Sequence, residues 1–306
     1  MPGMRARPAV AGLLLFGLLP LACTQLPAIV ASEPPAPRSL RILLTNDDGV
    51  DAPGIAAMRE SLEASGHRVT VVAPSRNRSG SSVSLTTGGT LTVREIEPGV
   101  YSVDGSPADC ALLGLRQIIQ DRVDLVVSGV NFGQNIGVRL VSSGTVGAAI
   151  AAAGEGVPAI ATSQTVDPDD YRKTPRFFPD SAAFTASLVD DLSTRPPGRL
   201  LPPGVVLNVN YPARERGEVA GVRLTHQGSS ILYELNYAPE GVGRYDVSFS
   251  LAEETDSDPD ADTRAIAEGY VSVTPLYASW TSEDKVMSDL NPLAEGLEPL
   301  PAAAAP

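Results

Sequence analysis

The chain has 306 residues, of which 43% are hydrophobic, enough to bury the core of one large domain or two small ones and too apolar for a disordered or fibrous chain. Its net charge of −13 and pI near 4.6 exclude a basic face for duplex nucleic acid. A small phosphorylated ligand stays compatible with that charge if a metal ion supplies the local positive potential.

The N-terminus reads as a targeting segment: Arg5 and Arg7 precede an apolar run from Ala9 to Ala22 that is too short to span a bilayer of about 30 Å. Leu21, Ala22 and Cys23 resemble the end of a bacterial lipoprotein signal, in which the cysteine is lipidated; Pro20 is atypical there, so ordinary cleavage after a small residue stays open. The expectation is an exported protein, periplasmic or anchored in the cell envelope through a lipid at Cys23. Loss of residues 1–22 removes two arginines and no acids, taking the charge from −13 to −15. Only Cys110 then remains besides the processed cysteine, so no intrachain disulfide forms in the lipoprotein. Residues 23–38 are a Pro/Ala-rich tether, 39–285 the folded domain and 286–306 a low-complexity tail.

From Leu40 onward, short aliphatic runs alternate with helical periodicity. "LRILLT" reads as a buried strand, and Ile55, Met58 and Leu62 line one helix face before the strand "RVTVVA". "TLTVREIEPGVYSVDG" reads as a hairpin turning at Pro98 and Gly99. Ser106, Pro107 and Asp109 form a helix start with a cap, a first-turn proline and an acid three residues on; that helix runs to about Ile119. "VDLVVSG" is a further core strand, "GTVGAAIAAAGEG" a helix of small residues and "VPAIATS" another strand. A helix over Pro179 to Leu192, a strand "VVLNVN", extended segments "GVRLTHQG" and "GRYDVSFSL", the acidic stretch "AEETDSDPDAD", and a short helix and strand in "TRAIAEGYVSVTPL" complete the domain. The alternation predicts an α/β fold with a parallel sheet covered on both faces.

In such a sheet, ligands bind beyond the carboxyl ends of the strands. The segments found there, "NDDGVDAPG", "PSRNRSGSS" and "GVNFGQNIG" with "VSSGTVG", are rich in Asp, Asn, Ser and Gly and converge on one edge. Asp47 and Asp48 have two readings: a helix cap or Asx turn, or half of an oxygen cage for Mg²⁺ or Mn²⁺ completed by a serine and an asparagine. Ser142 to Thr145 likewise read as a plain helix cap or as a phosphate site at a helix start. With only His67 and His226 present, a histidine zinc cluster is excluded. Cys110 and Arg116 match the Cys-x5-Arg spacing of cysteine phosphatases, but the intervening "ALLGL" is apolar and helical and cannot cradle a phosphate.

Six stretches in order, "ILLTNDDGVDAPGI", "VVAPSRNRSGSSVSLT", "VDGSPADCALLGL", "DLVVSGVNFGQNIG", "SGTVGAA" and "GYVSVTPL", resemble the SurE survival-protein family of metal-dependent nucleotidases from about Arg41 to Thr274. The resemblance implies a Rossmann-like, doubly wound, mostly parallel sheet with a C-terminal β-rich extension used in homodimer or homotetramer contacts. It implies one divalent ion, Mg²⁺ or Mn²⁺, per subunit on Asp47, Asp48, Ser79 and Asn131. The implied reaction is hydrolysis of nucleoside 5'- and 3'-monophosphates, in some members also of short polyphosphate. On this reading the metal activates a water, Asp47 or Asp48 positions it or takes its proton, and Asn135, Ser143, Gly144 and Thr145 hold the phosphate. The alternative is a non-catalytic, metal-dependent binder of nucleotides or other phosphorylated ligands. Where the family commonly carries Met-Glu-Gly after "SGTVGAA", Ile150, Ala151 and Ala152 stand here, and Gln227 to Glu254 matches poorly.

Overall fold

A computed structural model describes residues 36–231, 233–251 and 256–279; the expected signal segment, most of the tether and the tail lie outside these. Arg38, the last residue assigned to the tether, already belongs to the domain: its N–H donates to Ser193 Oγ at 3.2 Å and its guanidinium to the Arg195 carbonyl at 2.6 Å.

The strands are β1 (Arg41–Thr45), β2 (Arg68–Pro74), β3 (Val93–Glu97), β4 (Val100–Val103), β5 (Leu125–Phe132), β6 (Ala159–Gln164), β7 (Val205–Tyr211), β8 (Gly221–Leu224), β9 (Tyr233–Gly241), β10 (Arg244–Leu251) and β11 (Tyr270–Tyr277). The α-helices are α1 (Pro53–Ala64), α2 (Pro107–Leu113), α3 (Gly144–Gly154), α4 (Phe178–Ser193) and α5 (Asp262–Ala267). Nine strands form one sheet in the order β3-β4-β2-β1-β5-β6-β7-β11-β8. β4, β2, β1, β5, β6 and β7 run parallel, while β3 pairs antiparallel with β4 and β11 with β7. The α/β expectation holds, as does the hairpin at Pro98–Gly99.

Alternation along β1 shows why the sheet is covered twice. Ile42 and Leu44 face a core built with Ile55, Met58 and Leu62 of α1 and Ala182, Ala186 and Val189 of α4. Leu43 faces the other core, with Cys110 of α2 and Val146, Ala149 and Ala152 of α3. Burying one such aliphatic side chain contributes roughly 1.5–3 kcal/mol. The small residues of α3 permit a close approach, since a Cβ on Gly147 would lie 2.0 Å from the Ser82 carbonyl oxygen.

The Ser106 capping box closes as its spacing predicts. Asp109 N–H donates to Ser106 Oγ at 3.0 Å and Ser106 N–H to Asp109 Oδ2 at 2.9 Å. Asp109 also accepts the Thr86 N–H and hydroxyl, both at 2.8 Å, so α2 anchors the long loop after β2. The helix expected to reach Ile119 changes at Gly114 to a wider turn over Gly114–Ile118.

β9, not distinguished in the sequence, pairs with β10 as a two-stranded sheet of its own. Val247 stands opposite Tyr237, and with Leu235 and Tyr245 these share one exposed apolar face. The base of this arm is clasped. Asp256 accepts from Ser229 Oγ at 2.5 Å and Ser230 N–H at 3.1 Å, and Asp262 accepts from Gly228 N–H at 2.9 Å and Gly137 N–H at 3.1 Å. No helix among the described residues is long and apolar enough to cross a membrane.

Candidate active site

β2, β1 and β5 are neighbours in the sheet and parallel, so the loops leaving their carboxyl ends meet at one edge. The first loop is shaped by Asn46, whose Nδ2 donates to the Gly49 carbonyl at 2.8 Å and whose Oδ1 accepts the Gly49 N–H at 3.2 Å. Neither aspartate caps α1: the cap position is Ala52, with no side-chain bond. The helix-cap reading of Asp47 and Asp48 therefore falls away.

Asp47 is 3% exposed and its Oδ1 accepts the Thr145 hydroxyl at 2.5 Å, joining residues 98 apart in sequence. Gly144 is required beside it, because a Cβ there would lie 2.9 Å from Asp47 Cβ and Oδ2 and 2.6 Å from Ser81 Oγ. That serine hydroxyl is buried with no partner among the described residues. Asp48 Oδ2 accepts the Phe132 N–H at 2.8 Å and Oδ1 accepts from Asn77 Nδ2 at 3.3 Å. Asn77 Oδ1 in turn accepts the Ser79 N–H at 2.9 Å, and Arg78 N–H donates to the Asp47 carbonyl at 2.7 Å. The second loop is thus laced to the first.

Asn131 belongs to β5 itself, whereas the sequence placed it in the loop beyond. The β5–β6 register shifts between Ser128 and Asn131, at Gly129, whose φ of 132° and close approach to the Thr162 carbonyl oxygen admit only glycine. Asn131 is 7% exposed, and its Nδ2 donates to the Gly133 carbonyl at 2.7 Å. Ser143 caps α3, with its Oγ accepting the Val146 N–H at 3.1 Å. Asn135 is turned into the sheet: its Nδ2 donates to Ser163 Oγ at 2.8 Å and its N–H to Asn210 Oδ1 at 2.8 Å. The structure therefore brings Asp47 to Gly144 and Thr145, and Asp48 to the Ser79 loop and the end of β5, and commits the Asn135 amide elsewhere.

Electrostatics sharpen this arrangement. Burial, followed by the charge of Asp47, pushes the Asp48 carboxyl up from 3.8 to about 6, against the pull of the Phe132 N–H. Burial also pushes Asp47 up, opposed by the Thr145 hydroxyl and by backbone N–H groups including those of Thr145 and Gly144. No arginine, lysine or histidine pairs with either carboxylate among the described ion pairs. A buried carboxylate beside a half-buried one, with no cationic side chain paired to either among the described residues, fits a bound cation, and the hydroxyl and amide oxygens of Ser79 and Asn131 make the donor set all-oxygen. Among the described residues no cluster of three or more His, Cys, Asp or Glu side chains could hold a metal, so a soft-ligand site is not on offer. Cys110 is fully buried with its thiol pushed far above its ordinary range, mainly by burial, which removes it as a nucleophile.

Asp48 and Ser79 open onto a cavity of about 540 Å³ also lined by Val50, Pro53, Asn77, Phe132 and Phe178. Three contributions escaped the sequence. Asn77 and Ser81 sat among like-looking polar letters, and the Phe132 donor is a backbone group that no letter encodes.

Comparison with known proteins places these residues in context. The family model described as "Survival protein SurE" matches residues 42–234. The chain is 36% identical over 252 residues to the 5'-nucleotidase SurE of Pseudoalteromonas atlantica, covering 81% of this chain and 96% of that one. It is 41% identical to the 5'-nucleotidase SurE of Syntrophotalea carbinolica, covering 79% and 92%. It is 38% identical to the 5'/3'-nucleotidase SurE of Cronobacter sakazakii, again covering 79% and 92%. The crystal structure of the SurE protein from Aquifex aeolicus superposes with a TM-score of 0.70 at 35% identity, over 83% of this chain and 99% of that one.

Proposed function

The chain belongs to the SurE family, and from that premise we propose that it is a divalent-metal-dependent phosphomonoesterase hydrolysing nucleoside 5'- and 3'-monophosphates. The observation that carries the reading is a buried carboxylate beside a half-buried one, paired with no cationic side chain among the described ion pairs, the second of them opening onto a cavity of about 540 Å³. Asp47, Asp48, Ser79 and Asn131 would hold one Mg²⁺ or Mn²⁺ per subunit. A divalent ion held by these residues would supply Lewis-acid chemistry, polarising a phosphoryl oxygen and lowering the pKa of a water.

The chain's own residues do the rest. Thr145 fixes the Asp47 carboxylate through a 2.5 Å bond, and the Phe132 N–H and Asn77 fix Asp48, so both carboxylates are oriented before substrate arrives. Either of them positions the attacking water or accepts its proton. The start of α3, from Ser143 to Thr145, directs backbone N–H groups toward the same corner and favours an anion there. Asn135 serves the site indirectly: one amide N–H holds Ser163 Oγ and its main-chain N–H holds Asn210, which fixes the segment after β5. Because a water would be the attacking group, no covalent enzyme intermediate is needed.

The assembly and location complete the reading. The exposed apolar face of the β9–β10 arm supports a homodimer or homotetramer, because a lone hairpin is marginal in water. Arg5 and Arg7, the apolar run to Ala22, and Cys23 support export, with a lipid on Cys23 as the membrane attachment. The test is phosphate release from a panel of nucleoside monophosphates with Mn²⁺ or Mg²⁺, with and without chelator. Metal-dependent release that disappears in a folded Asp47→Asn variant is expected. An active Asp47→Asn enzyme overturns the site, and failure on every nucleotide overturns the reaction.

A further inference from the structure

The cavity beside Asp48 is larger than a phosphoryl group requires. Its volume of about 540 Å³ falls within the roughly 300–1,000 Å³ typical of small-molecule sites. Of its polar wall residues, Asp48 and Ser79 belong to the candidate cation site and Asn77 bonds to Asp48, while Val50, Pro53, Phe132 and Phe178 supply apolar wall. Asp51 and Arg76, both exposed, add one acid and one base to the wall.

Phe132 connects the two parts. Its backbone N–H holds Asp48 Oδ2 at 2.8 Å, and its half-buried side chain lines the cavity. Its ring is fixed by the edge-on ring of Phe178, with centroids 6.2 Å apart at 73°, and Phe178 is only 2% exposed. A rigid aromatic side chain one residue from a candidate cation ligand, bordering an apolar space that continues from it, suits a planar π-system attached to a phosphate. We infer that this cavity is the nucleoside pocket and that Phe132 selects for the base by stacking, an assignment that rests on the nucleotidase reading. Asp51 and Arg76 then offer an acceptor and a donor to the base edge or the ribose hydroxyls.

The experiment compares wild type, Phe132→Ala and Phe132→Leu on adenosine 5'-monophosphate and on ribose 5-phosphate, which keeps phosphate and sugar and lacks the base, with Mn²⁺ present. Base stacking on an aromatic side chain predicts a loss of about 5- to 100-fold in the ratio of the two kcat/KM values in Phe132→Ala, seen mainly in KM. Phe132→Leu, which retains an apolar side chain, loses selectivity in the same direction. A ratio equal to that of wild type in both variants overturns the inference, since the ring would then only support Asp48. A wild type that hydrolyses neither compound defeats the nucleotidase reading separately. The pocket is then judged by saturation-transfer NMR with adenosine alone: base-proton signals that vanish in Phe132→Ala uphold it, and their absence in wild type overturns it.

Discussion

Replacing Asp48 by Asn tests the electrostatic account of the site without recourse to turnover. Moving this carboxyl from 3.8 to about 6 on folding corresponds to roughly 3 kcal/mol of destabilisation at neutral pH. The folded chain binds the proton more tightly than the unfolded one, so this destabilisation grows as pH rises from 3.8 through about 6 and is complete above it. An amide at position 48 removes the charge and keeps an acceptor for the Phe132 N–H, but loses the one facing Asn77. The net expectation in chelator at pH 7.5 is a variant more stable than wild type by about 1–2 kcal/mol, or roughly 2–8 °C in Tm. Metal reverses the order: at a hundred times Kd, wild type gains about 2.7 kcal/mol while the variant gains far less. Thermal melts of both proteins in chelator and across a Mn²⁺ titration read this crossover. Phosphate release should fall by more than the about 10- to 100-fold that losing an outer-shell partner costs. A variant less stable than wild type in chelator, or one with an undiminished metal shift, would refute the argument.

Two further outcomes probe neighbouring features. Gly144→Ala places a Cβ 2.9 Å from Asp47 Oδ2 and 2.6 Å from Ser81 Oγ, so overpacking should cost about 1–3 kcal/mol. Calorimetric titration should also show weakened Mn²⁺ binding; wild-type affinity would mean that Asp47 moves without consequence. His67 is almost wholly buried, with Nδ1 accepting the Leu40 N–H at 3.3 Å and Nε2 3.2 Å from Asp190 Oδ1. Burial pulls its pKa below 6.5 despite Asp190, so the unfolded chain takes the proton first and stability drops as pH falls below 6.5. In metal-saturated urea melts between pH 7.5 and 5, wild type should lose up to about 1.4 kcal/mol per pH unit more than His67→Gln; parallel curves would contradict this.

The fold was legible wherever burial leaves a periodic trace. Ile42, Leu43 and Leu44, and Ile55, Met58 and Leu62, announce their strand and helix because each faces a packed layer on a fixed repeat. β9 escaped because "YELNYAPEG" packs against no core and therefore carries no burial pattern, with Pro239 interrupting it. At the site, the residue types of the converging loops suggested an oxygen cage, and the family resemblance named its four members. The bonds that orient them were out of reach: Thr145 to Asp47 spans 98 residues, and the Phe132 donor is main chain. Asn131 was misplaced into a loop because the register shift at Gly129 arises from pairing with β6, which a single strand's sequence does not display.

The clasp at the base of the β9–β10 arm also acts as a mechanical break. Asp256 and Asp262 tie the segment entering the arm, Gly228 to Ser230, to the segment leaving it, and Asp262 also holds Gly137 beyond β5. Closure at the root confines the arm's motion to the hairpin itself, so strain on β9 and β10 is held at Asp256 and Asp262 before it reaches the loops around Asp47 and Asp48.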